Sequence, residues 1–356
     1  MTILTGKRVV VTGGTGSLGR HLVRRIMAGE LGRPAAVVVF SRDEAKQHAM
    51  RVAYLHRSAA TDEVIYDNFR NVLEFRIGDV RDFGDVCSAV KAADIVVNAA
   101  ALKQVPTCEY FPAQAILTNC LGAVNIVRAI EENSYPVDTV VGVSTDKACK
   151  PVNVMGMTKS LQERILVAAN VLNARTRFIC VRYGNVLASR GSVIPLFHEQ
   201  IANGGPVTVT DPKMTRFLLS LEDAVDTVLA ALRGAKAGEI YVPRAPAASV
   251  LNVAKALIGR RRVKVEVTGI RPGEKLHEVL VSEEEIHHCV RRGAYYIVRP
   301  MLPELRGSRA REANALKREY SSGDNVLGAG ATVALLKRNR LLVEDQDAHA
   351  QPEMLR

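Results

Sequence analysis

The chain has 356 residues, more than one compact core usually holds, so two domains or one large domain with a smaller attachment are expected. Hydrophobic residues at 47% and charged residues at 24% exclude a disordered, collagen-like or low-complexity chain. The net charge of +11 comes from basic residues spread along the sequence, with one short run at 260–262 and no aromatic-rich basic stretch, so a phosphorylated small molecule fits better than nucleic acid.

Residues 7–12 (KRVVVT) read as a short buried strand, followed by a glycine turn at 13–19 and a helix over 17–27 that puts Leu18, Leu22, Val23 and Ile26 on one face. Further apolar runs of strand length lie at 35–40, 72–77, 95–100, 137–143 and 178–182, and helical patterns such as 115–131 and 157–172 separate them. Strands alternating with helices predict an α/β fold, a Rossmann-type doubly wound parallel sheet. After about residue 184 the rhythm changes to short strand-like pieces (207–210, 239–242, 263–267) and short helices (221–233, 250–258). The expected division is a dinucleotide-binding domain with the catalytic segment over 1–184, a smaller mixed α/β C-terminal substrate domain over 185–343 interleaved with it, and a frayed polar tail over 344–356. Apolar runs such as 94–102 and 137–143 fall short of the roughly 20 residues of a bilayer span. The start, MTILTGKRVVVTGG, has no separate signal-peptide stretch. A cytoplasmic protein without a membrane span is expected. The six cysteines form no Cys-x-x-Cys pair, and the neighbours His287, His288 and Cys289 point in different directions, so no metal site is expected.

The glycine turn runs Gly13, Gly14, Thr15, Gly16, Ser17, Leu18, Gly19, with Gly13, Gly16 and Gly19 forming Gly-x-x-Gly-x-x-Gly between a strand and a helix. In that context it reads as a pyrophosphate cradle: the glycines permit a tight turn and close backbone approach, and the helix start offers free N–H groups. NAD proteins commonly end the second strand with an acidic residue that accepts from the ribose 2′-hydroxyl. Here the strand ends with Ser41 at that position and Arg42 after it, and a guanidinium suits a 2′-phosphate, so NADP is the expected cofactor. The competing possibility is that Asp43 takes the acidic role. Asp79 and Val80 after the third strand suit the adenine, and Ala99, Ala100 and Ala101 after the fourth let the cofactor lie against backbone.

The fifth strand ends Ser144, Thr145, Asp146, Lys147, and a helix with Met155 and Lys159 on one face follows. This arrangement resembles the extended short-chain dehydrogenase/reductase superfamily, in which a Tyr-x-x-x-Lys helix follows a strand ending in Ser or Thr. The superfamily lysine holds the nicotinamide ribose and lowers the pKa of the tyrosine that removes a hydroxyl proton. Here Met155 stands at the tyrosine position and cannot transfer a proton, while Lys159 is retained. Asp146 and Lys147, an acid beside an amine at a strand end, are the groups that could take over proton transfer.

The stretches TGGTGSLG, SRDEAKQ, GDVRD, AAALKQVP, STDKA, PVNVMGMTK, RYGNVLASRGSVIPLF, TDPKMTRF and GIRPGEKLHE resemble the UDP-N-acetylglucosamine 4,6-dehydratases of bacterial polysaccharide synthesis. The likeness runs from about residue 7 to 285 and continues through Glu319, Tyr320, Ser321 and Ser322. Some members of that family carry methionine at the tyrosine position; long members have membrane helices upstream. The resemblance implies C4 oxidation by a tightly bound NADP regenerated in each turnover, C5 deprotonation, loss of water from C6 and return of the hydride to C6. It gives Thr145 the C4 oxygen, Lys147 the C5 proton and Asp146 the leaving 6-hydroxyl. The group that removes the C4 hydroxyl proton stays open among Asp146, Lys147 and a water. It also implies a UDP-sugar site in which Lys103, Arg216 and Arg271 bring charge, Asn185, Ser192, Val193 and Pro195 cradle the diphosphate and uridine, and Glu274 accepts from the ribose. A homo-oligomer, dimer or hexamer, is expected from the same resemblance. C5 retention and inversion both stay open. The competing functions are another NADP-dependent nucleotide-sugar enzyme, an epimerase or reductase, which would call for a tyrosine at 155, and a non-catalytic cofactor-binding protein.

Overall fold

The computed structural model describes residues 2–55, 72–187, 192–306 and 313–347. The chain divides into two units, the first comprising Met1–Tyr183, Leu221–Arg244 and Leu280–Glu319, the second Gly184–Ser220, Ala245–Val279 and Tyr320–Arg356.

The first unit is built on a nine-stranded sheet. Strands β1 (Arg8–Thr12), β2 (Ala36–Ser41), β3 (Leu73–Ile77), β4 (Ile95–Asn98), β5 (Thr139–Thr145) and β6 (Arg177–Tyr183) are all parallel, in the order β3-β2-β1-β4-β5-β6. Strand Ile240–Pro243 extends the sheet in parallel beside β6, and the antiparallel strands Tyr295–Val298 and Cys289–Arg292 close that edge. The central strands are continuous apolar runs, as a sheet covered by helices on both faces requires; Val9, Val10, Val37, Val38, Val96 and Val140 are fully buried. The order reverses between β1 and β4, and in open α/β sheets a ligand crevice forms outside the carboxyl ends of the strands at that point.

Within the span 185–343, expected as a substrate domain interleaved with the first, two stretches fall in the first unit. Helix Leu221–Gly234 and strand Ile240–Pro243 belong to the first unit because the strand pairs with Cys180 and Val181 of β6, and the pairing continues through residues 289–298. The expected tail also starts later than residue 344: Val343–Asp347 is helical, and Glu344 pairs with Arg261 at 3.0 Å. Residues 348–356 lie outside the described residues.

By length and composition, helix Pro112–Glu132 could cross a membrane, and no other helix among the described residues meets that test. Slightly over half of its apolar window is buried inside the protein. It carries the buried Asn119 and Asn125, each bonded to protein groups, which fits a core helix better than a lipid-facing one.

The second unit has a four-stranded sheet in the order Val326–Leu327, Ala247–Ser249, Thr215–Leu219, Asn185–Val186, and a separate parallel pair, Val207–Val209 with Val265–Val267. Phe197, Leu257 and Leu336, from helices Val193–Ala202, Val250–Ile258 and Ala329–Arg338, meet in its core.

Candidate active site

At the carboxyl end of β1, Gly13 has φ +64°, and a Cβ there would lie 2.8 Å from the Cα and N of Ala100. A Cβ on Gly19 would lie 2.5 Å from the Cα of Gly14. The glycines therefore fold the loop directly onto the backbone after β4 and onto the start of helix Ser17–Met27, with no room for side chains. Thr12 fixes this approach: its Oγ1 donates to Asn98 Oδ1 at 2.8 Å and accepts from Ala100 N at 3.2 Å. The helix has no side-chain cap at Gly16 and no acid in its first turn, so its N–H groups stay available to an anion. This cradle fits a dinucleotide pyrophosphate. Thr15, Ser17 and Leu18 lie in the same turn.

At the end of β2, Ser41 is buried and its Oγ accepts from Gln47 Nε2 at 3.1 Å. Asp43 caps the next helix by accepting from Lys46 N at 2.9 Å, and its carboxylate also pairs with Lys46 Nζ. Those bonds hold its pKa below the usual carboxylate range. Arg42 is half-exposed, with Nη1 3.5 Å from Asp79 Oδ2. Burial pushes the Asp79 carboxyl up, but bonds from Arg81 and the charge of Arg42 outweigh it and leave it lowered. Val80 is buried and its carbonyl accepts from Asn125 at 2.9 Å, which holds the segment after β3 in place.

Strand β5 ends in a short 3-10 turn, Asp146–Ala148, and carries the candidate proton-transfer groups. Asp146 is fully buried, with Oδ1 accepting from Thr145 Oγ1 at 2.9 Å and from Lys147 Nζ at 3.0 Å. Its Oδ2 and the Oγ of Ser144 are buried with no hydrogen-bond partner among the described residues. Such stranded polar atoms are costly unless a ligand satisfies them. The turn sits tightly on the start of helix Val154–Leu172, where a Cβ on Gly156 would lie 2.2 Å from Lys147 O. Asn153 caps that helix, accepting from Gly156 N at 2.8 Å.

Met155 is buried against Cys108 and Ala115, with Leu102, Val105 and Val154 around it. One turn on, Lys159 is buried, and its Nζ donates to Gln162 Oε1 at 2.7 Å while Gln162 donates to the Val143 carbonyl at 3.1 Å. Burial pushes the Lys159 ammonium down to about 8, against the opposing pull of Cys180, Glu163 and Cys120. Asn119, in a π-helical turn, bonds both backbone groups of Leu102 and the Thr158 hydroxyl, tying the Ala99–Ala101 loop to the Lys159 helix. Lys103 follows on the exposed part of this loop.

Behind this helix lies a charge cluster that sequence reasoning missed. Arg182 is buried and holds Glu163 by two bonds of 3.0 and 2.6 Å, Glu285 by two of 2.7 and 2.9 Å, and the Leu280 carbonyl at 2.9 Å. An arginine flanked by apolar residues in the strand RFICVRY, whose other arginine stands at its first position, was a readable signal of a buried partner, and Glu163 stands one helical turn from Lys159. Glu285 carried no such signal.

The remaining candidates belong to the second unit. Asn185 is on the strand Asn185–Val186. Ser192 is the N-cap of helix Val193–Ala202, its buried Oγ without a partner among the described residues, and Val193 and Pro195 lie in the first turn. Arg216 is buried, donating to the carbonyls of Thr215 and Leu276 and lying 3.8 Å from Glu278. Arg271 is exposed, and Glu274 accepts from its backbone N at 3.1 Å, closing a turn. Arg216 and Glu274 thus each have partners inside the unit.

The family described as polysaccharide biosynthesis protein matches residues 9–300. A UDP-glucose 4-epimerase of Rickettsia bellii (strain RML369-C) is 44% identical over 295 residues, 82% of each chain. The UDP-glucose 4-epimerase of Rickettsia prowazekii (strain Madrid E) is 43% identical over the same span. Among solved structures, Pen from Bacillus thuringiensis is 32% identical, covers 95% of this chain and 99% of its own, and superimposes with a TM-score of 0.83. DesIV, a dTDP-glucose 4,6-dehydratase from Streptomyces venezuelae with NAD and TYD bound, shares the fold at a TM-score of 0.63 and 22% identity, covering 76% of this chain and 86% of its own. The chain belongs to the polysaccharide biosynthesis protein family, and its large parallel Rossmann-type sheet shares the fold of DesIV.

Proposed function

We propose that the protein is an NADP-dependent UDP-N-acetylglucosamine 4,6-dehydratase. The observation that carries this reading is the Asp146–Lys147 pair, bonded at 3.0 Å at the end of β5. Removing a proton from C5 and expelling a hydroxyl from C6 call for a base and an acid within reach of neighbouring carbons, whereas inverting C4 leaves C5 and C6 untouched and needs no second proton-transfer group there. The dinucleotide supplies a hydride acceptor that also returns the hydride. Backbone groups of Gly13–Gly19 would hold its pyrophosphate, Lys159 its nicotinamide ribose and Arg42 its 2′-phosphate. Asp43 is committed to its helix cap, which favours the 2′-phosphate over the bare 2′-hydroxyl at this strand end. Thr145 holds the C4 oxygen, Lys147 takes the C5 proton as a neutral amine, and Asp146 protonates the departing 6-hydroxyl. Asn185, Ser192, Val193, Pro195, Arg216 and Arg271 are assigned to the UDP portion, with Glu274 at its ribose.

The names of the rickettsial relatives favour a second reading, 4-epimerisation. One incubation separates them: purified protein with UDP-N-acetylglucosamine, without added cofactor and then with NADP or NAD, followed by mass spectrometry and NMR. Dehydration gives a product lighter by one water, and NMR then reads its C5 configuration. A product of unchanged mass with inverted C4 supports epimerisation and removes the dehydratase assignment.

A further inference from the structure

A sugar C4 hydroxyl cannot become a ketone without losing a proton as well as a hydride, and the residue at the tyrosine position has no group to take it. Met155 is packed in an apolar cluster. Lys159 donates to Gln162 and, with a pKa of about 8, is mostly an ammonium at neutral pH, so it is a donor there. Tyr183 pairs in register with Thr145 across β5 and β6, but burial pushes its phenol well above the ordinary value, away from the phenolate a base would need.

Of the groups left, Asp146 and Lys147, the one whose side chain is bonded to the Thr145 hydroxyl is Asp146. The Thr145 hydroxyl donates to Asp146 Oδ1 with the oxygens 2.9 Å apart, and its own oxygen accepts a long bond from Lys147 N at 3.4 Å, which leaves one lone pair to accept from another hydroxyl. Asp146 is fully buried, and its Oδ2 is stranded without a donor among the described residues. We propose that Thr145 and Asp146 form a two-step proton relay that replaces the tyrosine, with Asp146 as the base for the C4 hydroxyl. The proposal rests on the reading that C4 is oxidised, which dehydration and epimerisation share.

The relay balances. The C4 hydroxyl proton moves to Thr145 Oγ1 as the proton of Oγ1 moves to Asp146 Oδ1, and the C4–H electron pair leaves as hydride to the oxidised dinucleotide. The C4–O bond becomes a carbonyl and Asp146 a neutral acid. Lys147 then takes the C5 proton, the C6–O bond breaks, and Asp146 gives its proton to the departing hydroxyl, which leaves as water. The hydride returns to C6 and Lys147 returns its proton to C5, so cofactor, carboxylate and amine end as they began. One carboxylate thus serves at C4 and at C6, and the proton removed first is the one that leaves in the water.

The test isolates the first half-reaction. Lys147→Ala, loaded with NADP and mixed with UDP-N-acetylglucosamine, stops after C4 oxidation and accumulates reduced nicotinamide absorbance. Adding Thr145→Val or Asp146→Asn to that background slows the rise by at least about 100-fold, the scale of a lost general base. Thr145→Ser restores it, and a solvent deuterium isotope effect present in Lys147→Ala is absent from the Thr145→Val background. Tyr183→Phe changes none of this. Equal rates with and without Thr145→Val overturn the relay, as does a Lys147→Ala protein that cannot oxidise C4 while the unsubstituted protein dehydrates, since that assigns the proton to Lys147. An unsubstituted protein that gives neither reduced cofactor nor a changed sugar removes the functional reading itself.

Discussion

Arg182→Met removes the guanidinium that donates to both carboxylates and to the Leu280 carbonyl, leaving Glu285 with the Ser282 backbone N–H at 3.1 Å and the Cys149 thiol at 3.6 Å. Breaking a buried ion pair by removing one partner costs about 3–5 kcal/mol, because the remaining charge stays desolvated. At roughly 2 °C per kcal/mol for a protein of this size, thermal unfolding should fall by about 6–10 °C near neutral pH. The loss should depend on pH in a defined direction. In the unsubstituted protein burial pushes the Glu285 carboxyl up, but Arg182 outweighs it and holds the pKa below 4.5. That contribution is present above the unfolded value and is lost as pH falls through the folded one. Without Arg182 only the Ser282 backbone bond and the charge of Arg164 oppose the desolvation, the folded pKa rises, and the variant's penalty shrinks as acidification protonates the carboxyl. Melting curves at about pH 8 and about pH 5 should therefore show a larger gap at the higher pH. The triple variant Glu163→Met/Arg182→Met/Glu285→Leu, which removes the charges together, should regain much of the loss. A single-variant cost under about 1 kcal/mol, or a gap that does not change with pH, refutes the argument.

Two further outcomes follow from the site. In the proposed cofactor site the Lys159 ammonium is the form that would donate to the ribose, and its pKa is lowered to about 8, so affinity for the oxidised dinucleotide should fall as pH rises through about 8 and Lys159→Met should flatten that dependence in a fluorescence titration. Gly156→Ala places a Cβ where the Lys147 carbonyl stands, at 2.2 Å, and displacing that backbone should cost about 1–3 kcal/mol and lower kcat more than it raises KM. Unchanged kinetics in that variant would mean that the turn tolerates displacement.

Much of the first unit was legible in the chain because its signals are local. Valine runs of strand length bounded by turn residues read as strands buried on both faces, glycines spaced between such a run and a helical pattern read as a tight turn, and the observed helix Ser17–Met27 coincides with the expected span. The order Thr145, Asp146, Lys147 and the helical spacing of Met155 and Lys159 needed nothing beyond the sequence and the 3.6-residue period. Strand boundaries shifted by one or two residues, as for residues 137–143 against Thr139–Thr145, because the end of a strand is set by its neighbour's register.

What only tertiary structure decided was which distant groups meet. The return of Leu221–Arg244 and Leu280–Glu319 to the first unit depends on a free edge beside β6, which no local pattern announces. Glu285 reaches Arg182 across 103 residues of chain. The packing of Met155 against Cys108 and the stranded oxygen of Asp146 likewise appear only once helices and turn are assembled. Periodicity and glycine conformation act within a few residues, so sequence alone carries them; desolvation and pairing act through space, and they become definite only when the folded chain fixes which atoms water can no longer reach.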